Sequence, residues 1–271
     1  MSVNKNKSLI NRHLKLFIKL SLLLGFFLIN NVAHSQFRRK NVKDSIVDLH
    51  QMSASYTIQV PRQDLAQRYG WNSSIGGDYY YKTKTNWLLG VEGNFMFGNQ
   101  VKERDFMDIV RTREGLIITS TGDFALISLF QRGFNLTGNV MKIVPVLSPN
   151  SNSGFIFGLG VGYMQHRIRI DVQHDNVPTF HEELKRGYDR MASGLLIKEF
   201  IGYQYYGNSR LANFRAGFEL MQGLTQSRRE IYFDTMEPPE DAGQIRRDFL
   251  VGFKVSWNIL IYKRSVKGVF D

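Results

Sequence analysis

Two kinds of residue in this sequence could do chemistry: a histidine in a strongly patterned segment, and ionic side chains threaded singly between large apolar ones. His166 stands in YMQHRIRIDVQH (163–174). An imidazole titrates near neutral pH, so His166 could act as a general base if a serine and a carboxylate lay beside it. No motif sets a nucleophile next to it. A lone histidine of this kind is more often structural. His166 and His174 lack a metal-ligand spacing, and the chain has no cysteine. GLGVG (158–162) opens no helix and is no phosphate loop. The sequence therefore calls for no catalytic residue, no metal and no cofactor. A lipid-modifying enzyme using His166 is kept as the rival expectation.

The ionic residues follow a rule. In RLANFRAGFELMQGL (210–224), Ala212, Phe214, Ala216, Phe218 and Leu220 alternate with Asn213, Arg215, Gly217 and Glu219. A period of two is a strand with one apolar and one polar face. In a soluble sandwich the phenylalanines would face a core. In a barrel surrounded by lipid they would face outward and the charges inward. On the second arrangement the inward polar network comprises Asp78, Glu92, Arg215, Glu219 and Lys254. Lys198 or Glu199 joins them, according to a register the sequence leaves open. The plain expectation is that these charges pair and fill the lumen, because buried charges need partners. A narrow polar channel is the sharper alternative.

The elements that would position these groups number eight. Strand patterns occur at 53–60, 74–82, 86–98, 134–146, 154–170, 195–206, 210–224 and 249–262. The gaps alternate: long at 61–73, 99–133, 171–194 and 225–248, short at 83–85, 147–153 and 207–209. Long and short connections alternating along an even strand count are the pattern of an outer-membrane barrel, with short periplasmic turns and long extracellular loops. The expected fold is all-β, an eight-stranded antiparallel transmembrane β-barrel. Aromatic residues support it by clustering at strand ends. Tyr79, Tyr80, Tyr81, Trp87, Tyr203, Tyr205, Tyr206 and Tyr262 fall beside the short turns. Trp71, Phe95, Phe97, Phe134, Tyr163 and Phe249 fall at the other end. Gly158, Gly160 and Gly162 would let neighbouring interior side chains pass, or ease strand coiling.

The first residues carry Lys5, Lys7, Arg12, Lys15 and Lys19 with no acid, then the apolar run LSLLLGFFLINNVA, then AHSQ with small residues at the cleavage positions. This reads as a signal peptide over 1–35, followed by a periplasmic segment (36–52), the barrel (53–263) and a periplasmic tail (264–271). Removal of the five basic residues lowers the net charge from +11 to +6, an ordinary excess that gives no reason to expect nucleic acid. The expected partners are outer-membrane lipid and lipopolysaccharide, together with proteins of the envelope or of a secretion complex. In the loops, KERDFMDIVRT (102–112) suits a helix and GLIITSTGDFALISLF (115–130) a hairpin turning at Thr121-Gly122-Asp123. In PTFHEELKRGYDRM (178–191), Thr179 and Glu182 have capping-box spacing for a short helix.

AHSQF at the cleavage site, DLAQRYG (64–70), SIGGDYYYKTKTNWLLGVEGNFMFGNQVKE (74–103) and WNILIYKR (257–264) carry a resemblance. On these the chain resembles small outer-membrane β-barrel proteins of the Bacteroidota, in the broad eight-stranded OmpA/OmpX-like group. The resemblance implies a barrel in the outer membrane. In size and plan the chain is also similar to barrels of that phylum that serve type IX secretion, an assignment no diagnostic motif makes and which stands as an alternative.

Overall fold

The computed structural model describes residues 46–262 except 115, 174–176, 182–183 and 208–211. The signal segment (1–35) and the tail (264–271) expected from sequence lie outside the described residues.

The eight strands form a closed antiparallel ring in chain order. They are β1 (Leu49–Gln63), β2 (Asn72–Lys82), β3 (Trp87–Gly98), β4 (Leu126–Val144), β5 (Gly154–Gln173), β6 (Ala192–Tyr205), β7 (Phe214–Ser227) and β8 (Arg246–Tyr262). β8 closes the ring on β1, in register from Leu49↔Tyr262 to Gln63↔Asp248. Closure leaves no edge strand over the height the eight strands share, so ladder donors and acceptors there find partners within the ring, while the upper parts of β4 and β5 run on paired only with each other.

The alternation of side chains is inside-out relative to a soluble protein. Outward residues such as Ile75, Val91, Leu136, Leu159 and Phe218 are 55–65% exposed. Arg215, Lys198, Lys254, Glu92 and Glu219 each retain only 1%. Phe214 and Phe218 of the segment discussed above are exposed, and Arg215 and Glu219 are buried.

Several boundaries differ from expectation. β1 begins at Leu49, inside the segment assigned to the periplasmic leader, because Leu49 still pairs with Lys82 and Tyr262. The first connection is not long: only 64–71 separate β1 from β2, and they hold one short helix, α1 (Asp64–Arg68). β4 starts at Leu126 rather than 134, since Leu126 to Gly133 pair with β5 up to Gln173. β4 and β5, of 19 and 20 residues, therefore rise well beyond their shorter neighbours. The hairpin turn at Thr121-Gly122-Asp123 is present, with Gly122 at φ 93° and Ile118 bridging Phe124. The helix expected at 102–112 is a 3₁₀ turn, Asp105–Val110, whose Phe106 and Met107 are pulled into a core. The helix expected at 178–191 is replaced by two 3₁₀ turns, Pro178–Phe180 and Leu184–Gly187. Glu182 of the capping box lies outside the described residues.

The aromatic bands also need one correction. Of the residues expected beside the short turns, Tyr79 and Trp87 are exposed on the outer wall and Tyr203 and Tyr205 are half-buried there; Phe155, Phe214 and Trp257, not among those expected, join them. Tyr80 and Tyr206 are fully buried and point inward. Their hydroxyls supply the reason, since each has a polar partner inside the ring: Glu92 for Tyr80 and Gln51 for Tyr206.

Candidate functional site

The interior is layered. At mid-height Glu92 on β3 accepts hydrogen bonds from Lys198 on β6 (2.5 Å) and from Lys254 on β8. Lys198 also reaches Glu219 on β7 at 3.0 Å, and Lys254 lies 3.7 Å from it. Beside this cluster Arg215 on β7 meets Asp78 on β2 at 2.6 Å, with the guanidinium 5.1 Å from the Tyr80 ring. All five residues singled out in the sequence lie in this layer. The open choice between Lys198 and Glu199 resolves: Lys198 points in, and Glu199 lies on the outer wall. Three carboxylates meet three cations, so the layer is neutral.

These contacts cross the lumen. β3 and β7 face one another in the ring, and Glu92 and Glu219 share both lysines. Asn94 donates to Glu92 (2.8 Å) and to Asn135 (2.9 Å), and Gln59 donates to Glu219 (3.0 Å). Around Glu92 such density is what makes buried charge tolerable, because the carboxylate exchanges water for fixed partners, whereas Arg215 and Asp78 have one hydrogen bond between them and leave Nε, Nη1 and Oδ1 without one. Two of the glycines on β5, Gly158 and Gly160, make room for interior side chains of β4. A Cβ on Gly160 would stand 1.9 Å from the Asn139 amide oxygen, and one on Gly158 would stand 2.6 Å from Met141. At Gly162 a Cβ would meet the Leu136 carbonyl at 1.9 Å, so that glycine serves close strand approach.

Apolar clusters seal the layer above and below. Toward the short turns lie Leu49, Leu88, Met141, Ile143, Ile156 and Phe200. Toward the long loops lie Met96, Met164, Ile168, Leu196, Met221 and Leu250, continuous with Phe106 and Phe180 from the loops.

His166 sits in this upper region, fully buried. Its Nε2 is 2.9 Å from the Asp248 carboxylate, which also accepts from the Thr225 hydroxyl at 2.5 Å. The Tyr69 ring meets the imidazole edge-on at 5.6 Å between centroids. Thr225 and His166 address the same carboxylate rather than each other. The geometry clamps β5, β7 and β8 together and does not activate a hydroxyl. Asp248 and Thr225 gave no sequence signal toward His166, because the three positions are related only through the register of the ring.

Over the upper cluster the loops are tied by ions. Arg190 donates to Glu103 (2.8 Å) and, bidentately, to Asp234 (2.8 and 2.6 Å), and its guanidinium lies 3.8 Å over the Tyr232 ring. Arg68 from α1 reaches the same Glu103 at 2.8 Å, and Arg229 grips Asp189 at 2.8 and 2.7 Å. Burial pushes the Asp234 carboxyl up, but the hydrogen bonds from Arg190 outweigh it and hold the group below the usual carboxylate range. Arg190 itself adopts φ 49°, a strained backbone held by these partners. The acids Glu103, Asp189 and Asp234 come from three different connections, so spacing along the sequence could not assign them to their arginines.

No family model and no curated protein matches the chain. Solved structures similar to it include Neisserial surface protein A, at 8% identity, covering 78% of this chain and 96% of that one with a TM-score of 0.42. Ail, the attachment invasion locus protein of Yersinia pestis, solved in complex with the heparin analogue sucrose octasulfate, is 10% identical and covers 78% and 99% with a TM-score of 0.38. The outer membrane protein OprG from Pseudomonas aeruginosa is 11% identical and covers 83% and 100% with a TM-score of 0.35. These are distant likenesses, and the functional conclusion rests on the geometry of the chain itself.

Proposed function

We propose that the chain is an outer-membrane β-barrel protein with a structural or partner-binding role, exported by a cleaved signal peptide and embedded with its short turns toward the periplasm. One observation carries this: a closed ring whose outer wall is apolar and exposed while its ionic residues are buried inside. Lipid is the solvent such a wall fits, and closure is the condition lipid imposes on strands. The loop end, ordered by the Arg190, Arg68 and Arg229 ion pairs, is the surface available to a partner. A role as an accessory of a secretion assembly, of the type IX kind, is supported only by the resemblance in size and plan.

Catalysis is not part of this proposal. His166 has no path to a lipid substrate, being fully buried with its carboxylate partner. Conduction is not part of it either, because the Glu92, Lys198, Lys254 and Glu219 cluster spans the lumen. The test is membrane partition. The purified chain should float with phospholipid vesicles and resist alkaline carbonate extraction, and a chain that stays soluble without detergent refutes the proposal. Planar-bilayer recording should show no discrete conductance, and His166→Ala should leave the lipid A profile unchanged by mass spectrometry. Affinity purification from native envelopes would identify the partner.

A further inference from the structure

The outer wall changes character abruptly near the long-loop end of β4 and β5. Rising along the paired strands, the outward residues are Leu136 beside Tyr163, then Phe134 beside Gln165, then Arg132 beside Arg167, then Phe130 beside Arg169. The Phe134 and Tyr163 rings lie 5.9 Å apart and mark the top of the apolar band. Arg132 stands one outward position above Phe134, about 7 Å along the strand, and Arg167 two above Tyr163. That is where an aromatic girdle gives way to headgroups.

Like charges directly opposite on neighbouring strands are destabilising, yet Arg132 and Arg167 are so placed. Local acids do little to relieve them. Arg132 donates to its neighbour's carbonyl, Gln131 O, at 2.8 Å and lies 5.0 Å from the Phe130 ring, with no acid in ion-pair range among the described residues. Arg167 lies 3.9 Å from Asp189, whose carboxylate is already held by two hydrogen bonds from Arg229. Arg169 meets Asp171 at 3.6 Å, where both side chains are about half exposed. Next to this row, above the point where β6 leaves β5 at Ala192, a cleft of about 760 Å³ opens. The turn carrying Lys185 and Arg186 forms its other wall, fastened by the Ile168 amide donating to Asp189 O at 2.7 Å.

We propose that Arg132, Arg167 and Arg169, with Lys185 and Arg186, form a site for the phosphate groups of an outer-leaflet glycolipid headgroup. This rests on the membrane reading above. Guanidinium groups pair bidentately with phosphate oxygens. An anion between Arg132 and Arg167 turns a repulsion into two attractions. The acyl chains of the same lipid would lie down the wall over Phe134 and Leu136. The phosphate is carried by a lipid headgroup rather than free in solution, because the row sits directly on an apolar wall.

The test uses the purified chain in detergent micelles, titrated with bisphosphorylated lipid A, with fully dephosphorylated lipid A and with inorganic phosphate. The parent should bind the bisphosphorylated lipid on the order of a hundredfold more tightly than R132S/R167S/R169S. The dephosphorylated lipid should bind the parent no better than the bisphosphorylated lipid binds that variant. A charge-matched control, R62S/K84S/R113S, should bind like the parent. Should the triple variant not fold, Arg167→Ser alone should lose about fivefold. Equal binding by parent and site variant overturns the proposal, as does an equal loss in the control. Displacement by equimolar inorganic phosphate overturns the lipid assignment. Failure of the membrane reading is separate: it appears as a parent that does not float with vesicles, whatever anions it binds.

Discussion

Replacing Glu92 by glutamine tests whether the ionic layer is a dry, closed network. The side chain accepts from Lys198, Lys254 and Asn94 and is 1% exposed. Glutamine keeps the shape and deletes the charge, leaving two lysines with Glu219 alone. Removing one partner from a buried ion network costs about 3–5 kcal/mol. Were the lumen hydrated like a surface, the same change would cost at most about 1 kcal/mol. The two cases are well separated. The assay is urea unfolding of the barrel in lipid vesicles, followed by tryptophan fluorescence. Trp71, Trp87 and Trp257 are the only tryptophans in the chain, and all are exposed on the outside. Their emission should shift red as they leave lipid for water. The double variant E92Q/K254M restores neutrality and should recover at least half of the loss. A single E92Q variant within about 1 kcal/mol of the parent, or a double variant no better than the single, would refute the picture of a sealed layer.

Val91, on the outer wall beside Glu92 and 55% exposed, should tolerate arginine only in water: V91R should cost about 2–4 kcal/mol in vesicles, against almost nothing for a solvent-facing site, by the same urea titration. Gly162→Ala forces a Cβ against the Leu136 carbonyl and should cost about 1–3 kcal/mol, seen as loss of the heat-modifiable folded band on gels. The Asp234 carboxyl is held below its unfolded value, so its pairing with Arg190 contributes fully above about pH 4 and is lost as pH falls through the lower folded value. Acid-active protease should therefore begin to cut 228–245 only below about pH 4, and a neutral-active protease should cut that segment in Asp234→Asn but not in the parent at neutral pH.

Much of the plan was legible because lipid and ring closure impose a strict period of two. In β7 and β8 the outward rows Phe214, Phe218 and Phe253, Val255, Trp257 contain hardly a polar atom, and the alternation could be read directly. It was ambiguous in β6, where Leu196 and Phe200 are apolar yet point inward with Lys198, so both faces of the strand look greasy. The same cause hid the two apolar seals: a methionine such as Met141 or Met164 carries no mark of whether it faces lipid or lumen. Tyr80 and Tyr206 were misplaced because a tyrosine suits an interface or a buried hydroxyl site equally well. The link from His166 to Asp248 was invisible for another reason, since it depends on the stagger of β5 against β7 and β8.

Lys254 belongs to β8, the strand that closes the ring, and its carboxylates belong to strands that precede it in the chain, Glu92 to β3 and Glu219 to β7. Until that final segment docks, a growing sheet would hold Asp78, Glu92 and Glu219 against Arg215 and Lys198, one cation short. Zipping the seam and balancing the charge are thus one event. A half-built intermediate is penalised electrostatically as well as by its raw edges, so insertion should proceed without a long-lived open form.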